Sequence, residues 1–294
     1  MNVFAPYCAA PITTKKIPKL KLPNNSCDTH IHVFGPEKHY PYQDDRSYTP
    51  RDCGPEKIFR LHDKLNVERA VIVQASVHGT DNRAILDMVK LSPKKLRAVA
   101  SVNQNITDKE IEDLHLQGVR GIRVNLVDKG GMPFDSMNEI IKISQRISEL
   151  GWHIEFLVHV EDKSINIIKL LDNLHVPSVV GHFGYTKTLK GLEDDGYKNF
   201  LSFIKDGKCW IKLTGPYRIS QEKNLPYSDV FPFASKLVEN APDRLLWGSD
   251  WPHVMQKNKM PNDADLLDLL DDWIPDKLIQ KKVLVDNPAY LYGF

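Results

Sequence analysis

The sequence alternates short β-branched runs with longer amphipathic segments, and the alternation repeats eight times. The runs predict strands at residues 27–34, 69–76, 96–103, 119–125, 152–159, 177–184, 209–215 and 244–250. Near-continuous apolar strands that alternate with helices are typical of a parallel sheet whose outer face is covered by those helices. Eight such units predict an α/β fold, a closed (β/α)8 or TIM barrel, in a single domain.

The segments between the runs carry helix start and stop signals. Residues 135–151 begin with Asp135 and Ser136, which are favoured N-cap residues, and end at Gly151. An open doubly wound sheet is the alternative, but no G-x-G-x-x-G or Walker-type loop follows the first predicted strand. A proline-rich segment precedes that strand. We therefore expect an extended arm over residues 1–24 and one barrel over residues 25–294.

Composition narrows the classes of function. The net charge of +1 provides no field to attract nucleic acid or an anionic membrane. No window approaches the roughly 18 apolar residues of a membrane-spanning helix. The cysteines show no CxxC spacing, which favours free thiols in a reducing compartment: Cys8, Cys27, Cys53 and Cys209. We expect a cytoplasmic monomer or homodimer that binds a small anionic molecule in a local site.

Polar residues stand at the ends of the predicted strands, where the active site of such a barrel is built. His30 and His32 share one face of the first strand, because side chains alternate along a strand. This pair alone fits a packed core as well as it fits a site. His182 at the end of strand six and Asp250 at the end of strand eight favour a site. The long polar loop 35–55 is expected to overhang the barrel mouth.

Together these residues resemble the amidohydrolase superfamily. The resemblance rests on the His-x-His pair, on the histidine of "VVGHFG" and on the aspartate of "LLWGSDWPH". The closing "VLVDNPAYLYGF" is similar to the C-terminal helix of the amidohydrolase-2 branch. Within that branch the chain looks most like the 2-pyrone-4,6-dicarboxylate lactonases, whose relatives hydrolyse or isomerise sugar lactones and muconolactones. The resemblance covers nearly the whole chain and implies a carboxylic ester hydrolase of the metal-dependent type.

The resemblance also implies roles for individual residues. It implies that Asp250 is the general base and that three imidazoles polarise the substrate carbonyl, namely those of His30, His32 and His182. Guanidinium groups suit carboxylates, because they can donate two parallel hydrogen bonds. The implied substrate-binding residues are Arg123, Arg218, Ser76, Lys129, His253 and Phe156. Of these, Lys129 and Phe156 stand where the pyrone enzymes have another basic residue and a tyrosine, and His253 could instead close its loop.

The sequence is compatible with a site that holds one zinc ion and with a site that holds no metal. A binuclear centre is disfavoured, because Arg123 stands where a bridging lysine would be and arginine stays protonated. His30, His32, His182 and Asp250 suit one zinc ion with room for a water molecule. The same four side chains can also act without a metal. We expect that no cofactor is required, with one Zn²⁺ as the alternative.

The expected activity is hydrolysis of a carboxylate-bearing lactone, such as a 2-pyrone-4,6-dicarboxylate-like lactone, a muconolactone or a sugar lactone. The alternative activity is zinc-dependent decarboxylation of an aromatic or muconate acid. A third class is a barrel that binds an organic anion without catalysis. The complete set of three histidines and one aspartate argues against that class.

Overall fold

The computed structural model describes residues 5–128 and 131–294. The strands are β1 (Cys27–Ile31), β2 (Arg69–Val73), β3 (Leu96–Ala100), β4 (Val119–Asn125), β5 (His153–Leu157), β6 (Ser178–Val180), β7 (Cys209–Leu213) and β8 (Leu245–Trp247). The α-helices of the described ranges are α1 (Pro55–Leu65), α2 (Arg83–Lys90), α3 (Asp108–Leu116), α4 (Met137–Arg146), α5 (Ile167–Asp172), α6 (Asp195–Lys205), α7 (Phe231–Asn240), α8 (Asp263–Trp273), α9 (Lys277–Lys281) and α10 (Asn287–Tyr292). Every predicted strand is confirmed, most with fewer residues than predicted.

The strands form one parallel sheet in the order of the chain, from β1 to β8. The segment after β8 closes this sheet against β1. Ile31 forms a bridge with Trp251, and the amide of His32 donates to the carbonyl of Trp251 at 2.9 Å. The predicted (β/α)8 barrel is therefore confirmed.

The interior of the barrel is apolar at its N-terminal end and polar at its C-terminal end. Helix α10 places Leu291 and Tyr292 against the inward side chains of the apolar end, which are Cys27, Val71, Val73, Val99, Val179, Trp210 and Leu246. A larger apolar layer lies between the sheet and the surrounding helices. The polar side chains therefore gather at the opposite end, above this apolar floor.

A bulge in β1 directs the first histidine into the barrel. Asp28 pairs with Ala70 and Ile31 pairs with Ile72, so three steps along β1 match two steps along β2. The extra residue shifts the alternation of inward and outward side chains along β1. Cys27 and His30, three residues apart, consequently both face the interior.

Residues 5–24 contain no helix and lie along the outside of the barrel. The amide of Thr49 donates to the carbonyl of Pro6 at 2.8 Å, and the amide of Leu20 donates to Asp268 on α8 at 3.0 Å. The division of the chain at residue 24 stays a prediction. Within the described ranges, no helix has the length and apolar character needed to cross a membrane.

The packing of β4 against β5 leads to a test of the fold. A Cβ atom on Gly121 would lie 2.5 Å from the ring of His153, which is fully buried and packs edge-on against Tyr292. We predict that Gly121→Ala lowers the free energy of unfolding by about 1–3 kcal/mol, the usual cost of overpacking a core. Urea denaturation followed by circular dichroism measures this change.

Gly181→Ala is the matched control, because its new Cβ would have no contact shorter than 3.7 Å. Its free energy of unfolding should stay within about 0.5 kcal/mol of the wild-type value. Equal losses in the two variants would contradict the described packing.

Candidate active site

Three imidazoles and one carboxylate meet at the C-terminal end of the barrel. Atom Oδ1 of Asp250 lies 3.9 Å from Nε2 of each of three histidines, His30, His32 and His182. None of these four side chains is more than 4% exposed. The structure thus brings together the four residues that the sequence analysis placed at the ends of strands one, six and eight.

The backbone turns sharply at two of these residues. His182 has a φ of 50° and Asp250 has a φ of 64°, so both adopt the left-handed backbone region that residues other than glycine rarely occupy. The amide of Asp250 donates to the carbonyl of His30 at 2.9 Å, which ties this turn to β1. Backbone conformations of this kind cost on the order of 1–3 kcal/mol each and are common at functional sites.

The two oxygens of Asp250 have different surroundings. Oδ2 accepts hydrogen bonds from the hydroxyl of Tyr217 at 2.7 Å and from Nε of Arg218 at 2.6 Å. Oδ1 is buried and has no hydrogen-bond partner among the described residues. Nε2 of His30 is equally without a described partner. One carboxylate oxygen is therefore fixed, while the other is available to a ligand or a proton.

Behind Tyr217 the hydrogen bonds continue into the protein. The Tyr217 hydroxyl lies 2.9 Å from Nδ1 of His253, and Nε2 of His253 lies 3.0 Å from Asp263 at the start of α8. His253 is only 1% exposed. Of the two roles expected for His253, the structure fits loop closure rather than substrate contact, because both of its ring nitrogens already have protein partners. Sequence reasoning missed the contribution of Asp263.

Burial and neighbouring charges set the protonation states of the site. Burial lowers the pKa of His32 to about 4 and the pKa of His182 to about 3. Burial likewise lowers the pKa of His30 well below its ordinary value. For Asp250, burial opposes ionisation, but the Arg218 guanidinium holds the pKa of this carboxyl well below its usual range. Near neutral pH the site therefore combines neutral imidazoles with a carboxylate.

Two of the imidazoles have a defined proton position. Nδ1 of His32 lies 2.7 Å from the carbonyl of Val73, and Nδ1 of His182 lies 3.3 Å from the carbonyl of Thr214. A carbonyl only accepts hydrogen bonds, so Nδ1 of each neutral ring carries the proton. The Nε2 atoms of both rings consequently direct lone pairs towards Asp250.

A small cavity lies next to these groups. Its volume is about 20 Å³, which is enough for one water molecule. Its walls are formed by His32, Tyr48, Ser76, Arg123, Asp128, Leu157, His182, Tyr185, Arg218, Val254 and Met255. Three predicted substrate-binding residues, Ser76, Arg123 and Arg218, are therefore at the cavity. Tyr48 was missed as an individual residue, although the loop that carries it was expected to overhang the mouth.

Phe156, another predicted substrate-binding residue, is not among the cavity walls. Phe156 is fully buried in the apolar layer between sheet and helices. Its neighbours Glu155 and Leu157 face the interior, and Leu157 lines the cavity instead. The expectation for Phe156 is thus corrected by the alternation of side chains along β5. Lys129 lies outside the described residues.

A wider chamber of about 350 Å³ adjoins the small cavity and shares four of its wall residues, Asp128, Tyr185, Arg218 and Met255. It opens the site towards solvent and has room for a substrate. A groove of about 520 Å³ beside α3 is larger. That groove is lined by no histidine, cysteine, lysine or arginine, so it offers no cation to an anionic molecule.

The donor set fits a single divalent cation. His30, His32 and Asp250 each offer a ligand atom, and these atoms lie within 4.8 Å of one another. Oδ1 of Asp250 is a buried oxygen with no other described partner. His182 contributes a further lone pair, so three imidazoles and one carboxylate could surround a zinc ion after small shifts.

Comparisons with known proteins agree with this site. An amidohydrolase family model matches residues 27–294. The chain is 40% identical over 287 residues to 2-pyrone-4,6-dicarboxylate hydrolase from Comamonas testosteroni, covering 94% of this chain and 92% of that protein. It is 37% identical over 290 residues to 4-sulfomuconolactone hydrolase from Rhizobium radiobacter, covering 98% and 96% of the two chains.

A solved structure shows the same architecture. The probable 2-pyrone-4,6-dicarboxylic acid hydrolase from Acinetobacter baumannii, solved with citric acid bound, matches with a TM-score of 0.80 at 29% identity. The match covers 92% of this chain and 100% of that chain. Because the family model and these relatives span almost the whole barrel, the chain belongs to the amidohydrolase family.

Proposed function

We propose that this protein is a hydrolase that opens a lactone bearing a carboxylate. The observation that carries the proposal is the unpaired Oδ1 of Asp250, which faces three imidazoles beside a cavity lined by Arg123. Two similar proteins are named as hydrolases of 2-pyrone-4,6-dicarboxylate and 4-sulfomuconolactone, whose substrates are lactones with anionic groups. These names support the same class of substrate here.

The proposed reaction begins with a water molecule beside Asp250. Oδ1 accepts one proton of this water, and the Nε2 lone pair of His32 or His182 accepts a hydrogen bond from its other O–H group. The oxygen of the water then bonds to the carbonyl carbon of the lactone, the ring C–O bond at this carbon breaks, and the proton held by Oδ1 passes to the leaving oxygen. A positioned general base accelerates such a step by roughly 10²–10⁴-fold.

The arginines are proposed to hold the substrate carboxylate. Nη1 of Arg123 donates to the carbonyl of Gln74 at 2.7 Å, which fixes the guanidinium and leaves its other N–H groups available. Arg218 is already paired with Asp250 through Nε. Arg123 is therefore the principal carboxylate anchor and Arg218 a secondary one. The predicted carboxylate contact of Lys129 and the predicted substrate contact of Ser76 remain part of this proposal.

We further propose that the reaction requires no metal. The Arg218 guanidinium compensates the charge of Asp250, which weakens the attraction of this carboxylate for a second cation. In the alternative, one Zn²⁺ would be held by Asp250 and three imidazoles, those of His30, His32 and His182. It would supply a Lewis acid for the carbonyl.

The finer assignments of location and assembly also remain proposals. The four cysteines form no disulfides, which supports a reducing compartment such as the cytoplasm. We propose a monomer or homodimer that acts on a small anionic molecule.

A lactone panel tests the proposed function. We expect hydrolysis of 2-pyrone-4,6-dicarboxylate, a muconolactone or an acidic sugar lactone, with little turnover of an uncharged δ-lactone.

Arg123→Met should lower kcat/KM for the carboxylated substrate about 10- to 100-fold, as expected for loss of a charge-assisted hydrogen-bonded pair. Arg120→Met is the matched control on the same strand, because Arg120 bonds to backbone carbonyls outside the cavity. If the protein hydrolysed none of the carboxylated lactones in the panel, the proposal would be refuted.

Replacing the proposed base gives a second test. Asp250→Asn should reduce kcat about 10²- to 10⁴-fold, because a carboxamide cannot take the proton of water. Circular dichroism should show the fold of the wild-type protein. Asp272→Asn, on the exposed face of α8, should keep wild-type turnover. An Asp250→Asn variant with undiminished kcat would exclude this carboxylate as the base.

Metal analysis separates the two proposed mechanisms. We expect purified, active protein to contain well under one equivalent of zinc and to keep its turnover after dialysis against a chelator. Stoichiometric zinc, together with loss of activity on chelation and recovery on adding zinc back, would favour the single-zinc alternative.

A further inference from the structure

A buried ion pair lies inside the barrel directly below His30, and the proposed reaction does not use it. Nζ of Lys212 on β7 donates to Oε2 of Glu155 on β5 at 2.6 Å. The two side chains are 0% and 2% exposed. A buried ion pair is poor evidence for stabilisation, because both charges lose their hydration. This pair therefore calls for a functional explanation.

The Lys212 ammonium has three protons and three acceptors. Besides Glu155, its Nζ lies 2.7 Å from the carbonyl of Thr29 and 3.3 Å from Nδ1 of His30. The third contact is a hydrogen bond only if Nδ1 carries a lone pair. If Nδ1 carried the proton instead, one buried ammonium proton would have no acceptor, and an unpaired buried donor is costly.

Glu155 offers His30 a competing arrangement. Its Oε1 lies 3.1 Å from the same Nδ1 and could accept a proton from it. That arrangement would leave Nε2 of His30 with a lone pair facing Oδ1 of Asp250. The arrangement gives Oε1 of Glu155 a hydrogen-bond donor but leaves one N–H group of Lys212 without an acceptor. Native interiors tolerate an unpaired acceptor more readily than an unpaired donor.

We propose that Lys212 is a positioning residue that keeps the proton of His30 on Nε2. The inference rests on the proposed function and makes the three histidines chemically distinct. His30 donates a hydrogen bond to the lactone carbonyl and stabilises the oxyanion, whereas His32 and His182 accept hydrogen bonds from the attacking water. With its proton on Nε2, His30 would have to shift or release that proton before this nitrogen could bind a metal.

Nitrogen NMR of the resting protein tests this proposal without a substrate. The protein is labelled with ¹⁵N-histidine, and the ring signals of His30 are assigned by their loss in His30→Asn. We expect at neutral pH a protonated Nε2 and an unprotonated Nδ1 for His30, with the opposite pattern for His32 and His182. A proton on Nδ1 of His30 would overturn the proposal. This result is independent of whether any lactone is hydrolysed.

Variants of the ion pair provide a second readout. In Lys212→Met the His30 proton should move to Nδ1, next to Glu155. On a lactone that the wild-type protein hydrolyses, kcat should then fall by about 10²-fold, the typical cost of one oxyanion donor, with KM within twofold of the wild-type value. Glu155→Gln keeps Lys212 and is the matched control, which should retain the proton on Nε2.

The outcomes remain distinguishable. An unchanged tautomer in folded Lys212→Met would overturn the role of Lys212, and if that variant does not fold, the wild-type spectrum decides alone. Protonated Nε2 in a protein that hydrolyses no lactone would refute the proposed function and leave the tautomer assignment intact.

Discussion

The site depends on the way Arg218 and Tyr217 hold a single oxygen of Asp250. Their hydrogen bonds of 2.6 and 2.7 Å to Oδ2 keep the buried carboxylate ionised and fix its orientation. Oδ1 is thereby directed at three imidazoles, each 3.9 Å away. Without the guanidinium, burial would favour the protonated acid, which could not serve as a base. The ion pair thus supplies both the charge and the geometry of the proposed reaction.

The barrel supports this arrangement by separating its interior into two ends. Leu291 and Tyr292 of α10 complete the apolar end, so the polar groups rest on a packed floor. The left-handed backbone at His182 and Asp250 and the buried pair of Lys212 and Glu155 are unfavourable features. The extensive apolar layer between sheet and helices offsets their cost. Strain is therefore concentrated where the proposed chemistry occurs.

Most of the fold and the centre of the site could be predicted from the sequence, because both depend on local patterns. Alternating strands and helices predict the barrel, and a barrel brings the ends of its strands together. His30 and Asp250 are therefore predicted to lie close together although they are far apart in the sequence. The positions of side chains that depend on partners far away in the sequence were harder to predict. The phase of β5 places Glu155 inside and Phe156 outside, but Glu155 is held there by Lys212, which lies far along the chain. The two roles expected for His253 could not be separated from the sequence, because its partner Asp263 belongs to the next helix.

The decisive measurement is a crystal structure with a carboxylated aromatic ligand that cannot be hydrolysed, such as pyridine-2,4-dicarboxylate. We expect a ligand carboxylate to contact Arg123 at about 3 Å, the normal hydrogen-bond distance. We also expect a water molecule within the same distance of Oδ1 of Asp250, while Oδ2 stays bonded to Tyr217 and Arg218. A ligand bound in the groove beside α3, or an Oδ1 atom that is bonded to a protein group, would contradict the proposed roles of Arg123 and Asp250.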